Sequence, residues 1–407
     1  MSRSSDPSGD VGVGIVTALP VECAAVRLMV NGLADLVVPG DLNHYRVGTL
    51  PSRDSEHPHR VVVAVQAEDG TRNAAAICTD MARSFPGLAV FVMCGIAGGV
   101  PAPHHPDRHV RLGDVVVATG GVVDYDHVRT VDGAETVRRP VQRPSTTLLR
   151  ADRELQIKEL TGEQPLRGLL DRTEIRGSMF SRPGRNSGRG SPDIPVGPHL
   201  DTADGRADGS PRVHRGAIGS ADRLLRDAAR RDALALKHSI RAVEMEGSGI
   251  AVAADLNERQ WFMVRGVADH CDDRTKTDAW HPYAALVAAA YVRALLSEAS
   301  PFGAKRHHRG GWTPTELQLV VDALLEIPAI RDDYQRRAII ALLPAHIRNA
   351  VPDSVRGRLH VIGIVQTCEY FPDGRSALLD ALRLTLGPDD PEFQRVGAVV
   401  LRHWSGR

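Results

Sequence analysis

Val- and Ile-rich runs alternate with Ala-rich, helix-spaced segments along the N-terminal two-thirds of the chain. Gly12 to Thr17 (GVGIVT) reads as a buried strand, followed by a helix from about Pro20 to Val30. Arg60 to Gln66 (RVVVAVQ) predicts a second strand, Thr71 to Ser84 a helix, and Leu88 to Met93 (LAVFVM) a third strand. That strand runs into a glycine loop, Gly95-Ile96-Ala97-Gly98-Gly99. Asp114 to Ala118 and Val213 to Ile218 read as further strands, Ser220 to Leu234 and Glu246 to Asp255 as helices. Trp261 to Val267 is a strand, and His281 to Ser297 the closing helix. Continuous β-branched runs alternating with helices imply a sheet covered on both faces, hence α/β.

Two breaks interrupt the pattern. From Arg176 to Arg212, 17 of 37 residues are Gly, Pro or Ser and only seven are apolar. Such a segment buries too little to offset its ordering entropy, so a disordered insertion is expected over about 176–212. The second break, Ala299 to Gly311 (ASPFGAKRHHRGG), reads as a basic linker. Beyond it Thr313-Pro314-Thr315-Glu316 forms a capping box with Pro at the first helical position. Leu317, Val320, Val321, Leu324 and Leu325 follow helical spacing. Val355, Leu359, Ile362 and Val365 repeat it, as do Leu378, Leu379, Leu382 and Leu386. A small all-α domain is expected over 312–407. The α/β domain is expected over 11–298, behind a polar, disordered leader over 1–10.

Length and charge narrow the function classes. The 407 residues suggest two or three domains. Fifty basic and fifty acidic side chains cancel, which argues against a dedicated nucleic-acid binder. No apolar run reaches membrane-spanning length and no signal peptide is visible. Five scattered cysteines, Cys23, Cys78, Cys94, Cys271 and Cys368, read as free thiols in a reducing cytoplasm. His104, His105 and His109 sit in a Pro-rich stretch and read as solvated loop, so neither a metal nor a cofactor is expected.

The chemistry sits at three acidic spots at element ends: Glu22 in TALPVECAA, Glu244 and Glu246 in VEMEG, and Asp269 in VRGVAD. Singly, each reads as a helix-dipole partner or a turn residue. Carboxyl ends of parallel strands are nevertheless where α/β sheets bind ligands.

Taken together, in this order and with the glycine loop between them, these motifs resemble the nucleoside phosphorylase/nucleosidase superfamily. The resemblance is to 5′-methylthioadenosine/S-adenosylhomocysteine nucleosidases, and within them to variants fused to signalling domains in NLR-like and bacterial conflict proteins. It covers about Val11 to Ser297 apart from the insertion, and it rests also on Arg265-Gly266-Val267-Ala268-Asp269-His270-Cys271-Asp272-Asp273, Lys276, Trp280 and Pro282 to Ala285. It implies a central mixed sheet flanked by helices. It implies further that Asp269 protonates the purine at N7 and that Glu22 positions and activates the attacking water. Glu246 would grip the ribose 2′- and 3′-hydroxyls, with Met245 against the sugar and Gly95, Ala97 and Gly98 beside it. Asp222 would lie in the base-site segment and Arg265 among the substrate-binding residues. The aromatic that stacks on the base falls at Leu224, Ile96 replaces a hydroxyl and Ala268 a serine. The first loop, Thr17 to Glu22, has no Arg for phosphate and carries an acid in its place, so hydrolysis is expected over phosphorolysis.

The helical segment resembles the effector-associated adaptor domains of bacterial conflict systems through Leu342-Leu343-Pro344, Ile364 to Cys368 and Pro372-Asp373-Gly374 with Leu378. The expectation is a purine nucleosidase effector acting on an adenine-type nucleoside or nucleotide. A phosphorylase and a catalytically silent nucleotide sensor are the alternatives. Arg138, Arg139 and Arg143 offer charge for a phosphate but read as a solvated basic loop. The expected partners are the small-molecule purine, a protein carrying a like adaptor domain and a second copy of the chain in a homo-oligomer. No nucleic acid or membrane partner is expected.

Overall fold

A computed structural model describes residues 11–102, 104–105, 108–132, 134–138, 141–172, 175, 178–183, 210–273, 278–302, 314–352, 354, 356–371 and 373–404. The expected disordered leader 1–10, most of the insertion 176–212, Lys276, Arg139 and linker residues 303–311 lie outside them. The chain divides into two compact units, Met1–Ala304 and Lys305–Arg407.

In the first unit β1 (Val13–Thr17) leads into α1 (Pro20–Met29). Then come β2 (Asn31–Leu36), β3 (Tyr45–Leu50), β4 (His59–Val65), α2 (Thr71–Ser84) and β5 (Val90–Gly99). Next are β6 (Val115–Val117), β7 (Val122–Asp124), the separate hairpin β8 (Val128–Val131) and β9 (Ala134–Val137), α3 (Thr146–Leu160) and α4 (Arg167–Leu170). The unit ends with β10 (Val213–Arg215), β11 (Ala217–Ser220), α5 (Ala228–His238), β12 (Ile240–Glu244), α6 (Gly247–Leu256), β13 (Gln260–Asp269) and α7 (His281–Glu298).

The main sheet runs β10-β6-β13-β5-β1-β4-β3-β2, with β12 also on β5, and β11 between β12 and β7. It is mixed: β4-β1-β5-β13 are mutually parallel, whereas β12 meets β5, and β6 meets β13, antiparallel. Period-two alternation explains its two-sided burial. Val13, Ile15, Val61, Val63, Val90, Val92, Phe262 and Val264 face α1, α3 and α7. Val16, Val62, Ala64, Phe91, Met93 and Met263 face α2 and α6. β1 and β4 stop level with Cys94, at Thr17 and Val65, while β5 and β13 run on together to Gly99 and Asp269.

The structure corrects three local expectations. Gly95–Gly99 is not a loop but the last half of β5. It is laddered to β13 through Arg265↔Gly95, Gly266↔Ile96 and Val267↔Ala97, and to β12 through Val243↔Gly98. Pairing with β13, and with β12 at the end, overrides the weak strand preference of glycine. Ser220 ends a strand rather than starting a helix, because β11 pairs with both β7 and β12. The helix begins only at Ala228, where Asp227 accepts a capping bond from the Arg230 amide at 3.0 Å. Val213–Ile218 is two strands, split at Gly216, so that β10 joins β6 while β11 joins β12. The hairpin, β2, β3, β7, β12, α3 and α4 had no counterpart in the sequence reading.

The start of the expected linker belongs to the first unit. Ala299 and Phe302 are buried, the Phe302 amide donates to His59 Nδ1 at 3.0 Å, and His59 Nε2 meets the Leu296 carbonyl at 2.9 Å. Large-to-small changes at buried aromatics cost about 3–5 kcal/mol. Near a terminus a loss of about 2–3 kcal/mol is expected, or roughly 5–10 °C. Calorimetry of full-length Phe302→Ala should show that drop in the first unit's transition; an unchanged transition would mean Phe302 is idle.

The second unit is helical: α8 (Pro314–Glu326), α9 (Pro328–Arg331), α10 (Asp333–Ala341), α11 (Ala345–Arg348), α12 (Gly357–Tyr370), α13 (Gly374–Leu386) and α14 (Pro391–His403). Its core joins Val320, Val321 and Leu324 to Leu378, Leu382, Val396, Val400 and Trp404. On α12 the buried face is Val361, Ile364, Val365 and Cys368; of the expected row Val365 belongs to it and Ile362 packs against it, whereas Leu359 is half-exposed. Val355, from the same row, lies outside the described residues. Arg336 is buried as well, donating to the Ile330 carbonyl at 2.8 Å and to His360 Nδ1 at 3.2 Å. Among the described residues no helix is long and apolar enough to cross a membrane.

Candidate active site

Where the parallel strands end, a cleft of about 250 Å³ opens. Its walls include Ala18, Leu19 and Glu22 from the β1–α1 junction, Asp69 ahead of α2, and Ile96, Ala97 and Gly98 from β5. Leu224 and Leu225 precede α5, Glu244 ends β12 with Met245 and Glu246 after it, Asp269 ends β13 with Cys271 just beyond, and His281 opens α7. The structure thus brings Glu22, Glu246, Met245, Asp269, Ala97 and Gly98 to one cavity from four places: α1, the β12–α6 junction, β13 and β5.

Glu22 is 1% exposed in the first turn of α1. Its Oε2 accepts the Ala18 and Leu19 amides at 2.7 and 2.9 Å, and its Oε1 accepts the Ile96 amide at 2.7 Å. Those three amides form the natural anion seat of this junction, and the protein's own carboxylate fills it. Burial pushes the Glu22 carboxyl above its ordinary range, against the pull of Arg265 and the three amides.

Glu246 is the N-cap residue of α6. Its Oε1 accepts the Gly70 amide at 3.1 Å and its Oε2 lies 2.8 Å from Arg265 Nη2. Burial, with Glu244 and Glu22 nearby, raises its carboxyl to about 7, although Arg265 opposes the shift. Asp269 ends β13. Its Oδ1 accepts the Cys271 amide at 2.8 Å, and Oδ2 makes no hydrogen bond among the described residues. Cys271 is held at φ +51°, and burial beside Asp269 pushes its thiol up to about 12.

Three sequence candidates occupy other places. Arg265 does not line the cleft. It is fully buried beneath it as counter-ion to Glu244 and Glu246, with Glu22 Oε1 4.0 Å away. Burial alone would lower its proton affinity, but the carboxylates outweigh that and hold the guanidinium charged. Gly95 is likewise behind the wall. A Cβ there would stand 2.3 Å from Arg265 Nη1 and 2.5 Å from Glu22 Oε1, so glycine makes room for the ion cluster. Gly98 plays the same part for the acid, its missing Cβ facing Cys271 Sγ and, at 2.9 Å, Asp269 Oδ1. Asp222 turns away from the cavity to the Thr71 amide at 3.3 Å and Arg72 Nε at 3.3 Å. Arg138 follows β9 and Arg143 lines a separate hollow beside the start of α3. Leu224 is at the cleft rim, 58% exposed.

Sequence reasoning missed Asp69, the role of the Ala18 and Leu19 amides, and a task for Glu244. Glu244 was readable: two Glu residues separated by one position at a strand end place the first where it can cap the next helix.

A family model described as Phosphorylase superfamily matches residues 13–297. One described as Effector-associated domain 2 matches residues 321–401. A nucleotide-binding leucine-rich repeat (NLR)-like protein of Hyaloscypha variabilis is 29% identical over 325 residues, 75% of this chain and 31% of that protein. The ATP nucleosidase Cap17 of Escherichia coli strain KTE188 is 29% identical over 278 residues, 68% of this chain and 49% of that protein. A 5′-methylthioadenosine/S-adenosylhomocysteine nucleosidase of Mycobacterium bovis is 27% identical over 286 residues, 70% of this chain and 96% of that one. The chain thus spans less than half the length of the first two relatives. Matched by its family model from Val13 to Ser297, across the whole sheet and its cleft, the chain belongs to the phosphorylase superfamily.

Proposed function

We propose that this cleft hydrolyses the N-glycosidic bond of an adenine-type nucleoside or nucleotide. The observation that carries the reading is the occupied anion seat. The amides of Ala18, Leu19 and Ile96 are all engaged by Glu22, so a phosphate approaching the sugar from that side meets a carboxylate and no free donor. Water is then the nucleophile. Its oxygen bonds to C1′ while Glu22 orients it and draws its proton. The C1′–N9 pair leaves with the base, and Asp269 delivers a proton to N7. Glu246 accepts the two vicinal ribose hydroxyls, and the buried carboxylates stabilise the positive charge that develops on the sugar. Water is consumed, and free base and free sugar leave. The names of two relatives, an ATP nucleosidase and a methylthioadenosine/S-adenosylhomocysteine nucleosidase, agree with this substrate class.

The second unit is the recruiting part. Its match to Effector-associated domain 2 and its exposed Tyr334, Leu384 and Leu401 support docking on a protein with a like domain, and so a place in a defence system.

The test is product analysis over a panel of adenosine, 5′-methylthioadenosine and ATP, with and without inorganic phosphate. Free adenine and a sugar without a 1-phosphate are expected, at a rate that phosphate does not raise. Ribose 1-phosphate as main product would make the chain a phosphorylase.

A further inference from the structure

Three carboxylates, Glu22, Glu244 and Glu246, crowd around one guanidinium, Arg265, and all four are buried. The proposed reaction uses Glu22 and Glu246 and leaves Glu244 without a task. Yet Glu244 is the most heavily engaged of the three. Its Oε2 accepts the Glu246 amide at 2.9 Å, and both its oxygens accept the Gly247 amide, at 3.0 and 2.9 Å. It thereby caps the first turn of α6 and fixes the backbone from which the Glu246 side chain departs. The approach depends on glycine at 247, where a Cβ would stand 2.8 Å from Glu244 Oε1. Glu244 also binds the same Arg265 Nη2 that reaches Glu246 Oε2. One nitrogen is therefore shared between two acids.

We propose that Glu244 is a positioning residue for sugar binding: it fixes the direction of Glu246 and, by taking a share of Arg265 Nη2, keeps the guanidinium from saturating that carboxylate. The inference rests on the hydrolase reading for its meaning, but not for its measurement. Glu246 keeps lone pairs for two hydroxyl donors only while Arg265 is divided. The charged groups around it are Glu22 from α1, Asp69 ahead of α2, Glu244 from β12, and Arg265 and Asp269 from β13; Arg223 and His281 stand at the rim. Of these, Glu244 is the like charge bound to the same nitrogen. The position of Glu246, raised to about 7 by burial and by the neighbouring carboxylates, accords with the crowding.

The experiment uses the full chain and Glu244→Gln. The amide removes the negative charge and leaves Arg265 to Glu246. In nucleoside-free protein carrying ¹³C-glutamate, with Glu246→Gln to assign the signal, the Glu246 titration should move down by about one pH unit on losing its like-charged neighbour. With adenosine as probe, KM at pH 8 should rise about tenfold, a ΔΔG of about 1.4 kcal/mol, with kcat within about threefold. The acid limb of kcat/KM should shift down with the titration. If the Glu246 titration stays put, or kcat and KM change with the limb unshifted, Glu244 is only a structural cap and the proposal fails. Should Glu244→Gln not fold, Glu244→Asp takes over. It keeps the charge on a shorter arm, so KM should rise while the titration stays near that of the parent; an unchanged KM would overturn the proposal. Absence of adenine release by the parent chain would refute the hydrolase reading alone, since the titration decides the sharing of Arg265 without turnover.

Discussion

Asp269→Asn should cut purine release by about two to four orders of magnitude and leave the melting temperature close to that of the parent, because loss of a general acid removes transition-state help without changing shape. The amide can still accept the Cys271 amide, the one hydrogen bond that Asp269 makes among the described residues. What it cannot do is deliver a proton to the departing base. The loss should fall on kcat, since binding through Glu246 and Glu22 is untouched. The check is single-turnover adenine release by the purified variant beside its melting curve. Turnover near that of the parent would remove Asp269 from the chemistry and with it the present assignment of the cleft.

Gly95→Ala should be nearly as damaging for activity and far worse for stability. A methyl at 95 would sit 2.3 Å from Arg265 Nη1 and 2.5 Å from Glu22 Oε1, closer than real Cβ contacts come. Backbone escape is blocked, because β13 pairs with this segment of β5 on one side and β12 binds its end. Arg265 or Glu22 must move, and disrupting a buried ion cluster of this kind costs about 3–5 kcal/mol. At roughly 2–4 °C per kcal/mol for a unit of this size, a fall of about 6–20 °C is expected. Calorimetry and the adenine assay on one preparation would show both losses. A stable, active Gly95→Ala would mean that the cluster is looser than its geometry.

The sheet was legible where β-branched runs were long. Val61–Val63, Val90–Val92 and Trp261–Val264 carry their burial in their composition, and the structure places them in the middle of the sheet. Strands defined by partners were not legible. Gly95–Gly99 has no strand propensity and forms one because β13 holds it from Gly95 to Gly98 and β12 holds its end. Asn31–Leu36 is a largely exposed edge strand without an apolar face to betray it. The acids of the cleft were visible as a set only through order and resemblance, since no spacing along the chain links Glu22 to Asp269. Arg265 reads as a substrate contact from sequence because the sequence says nothing about depth. It lies beside the right groups but one layer below them.

The two glycines at 95 and 98 carry an implication for how such sites decay. Each leaves a hole that another residue's functional group fills, Arg265 with Glu22 in one case and Cys271 with Asp269 in the other. Selection on catalysis and selection on packing therefore act on the same positions. A lineage that abandoned the chemistry could gain bulk at 95 or 98 only once the groups that fill those places had been lost or moved. Among descendants of this chain, an alanine or serine at either position would mark a retired enzyme whose acid cluster had already come apart.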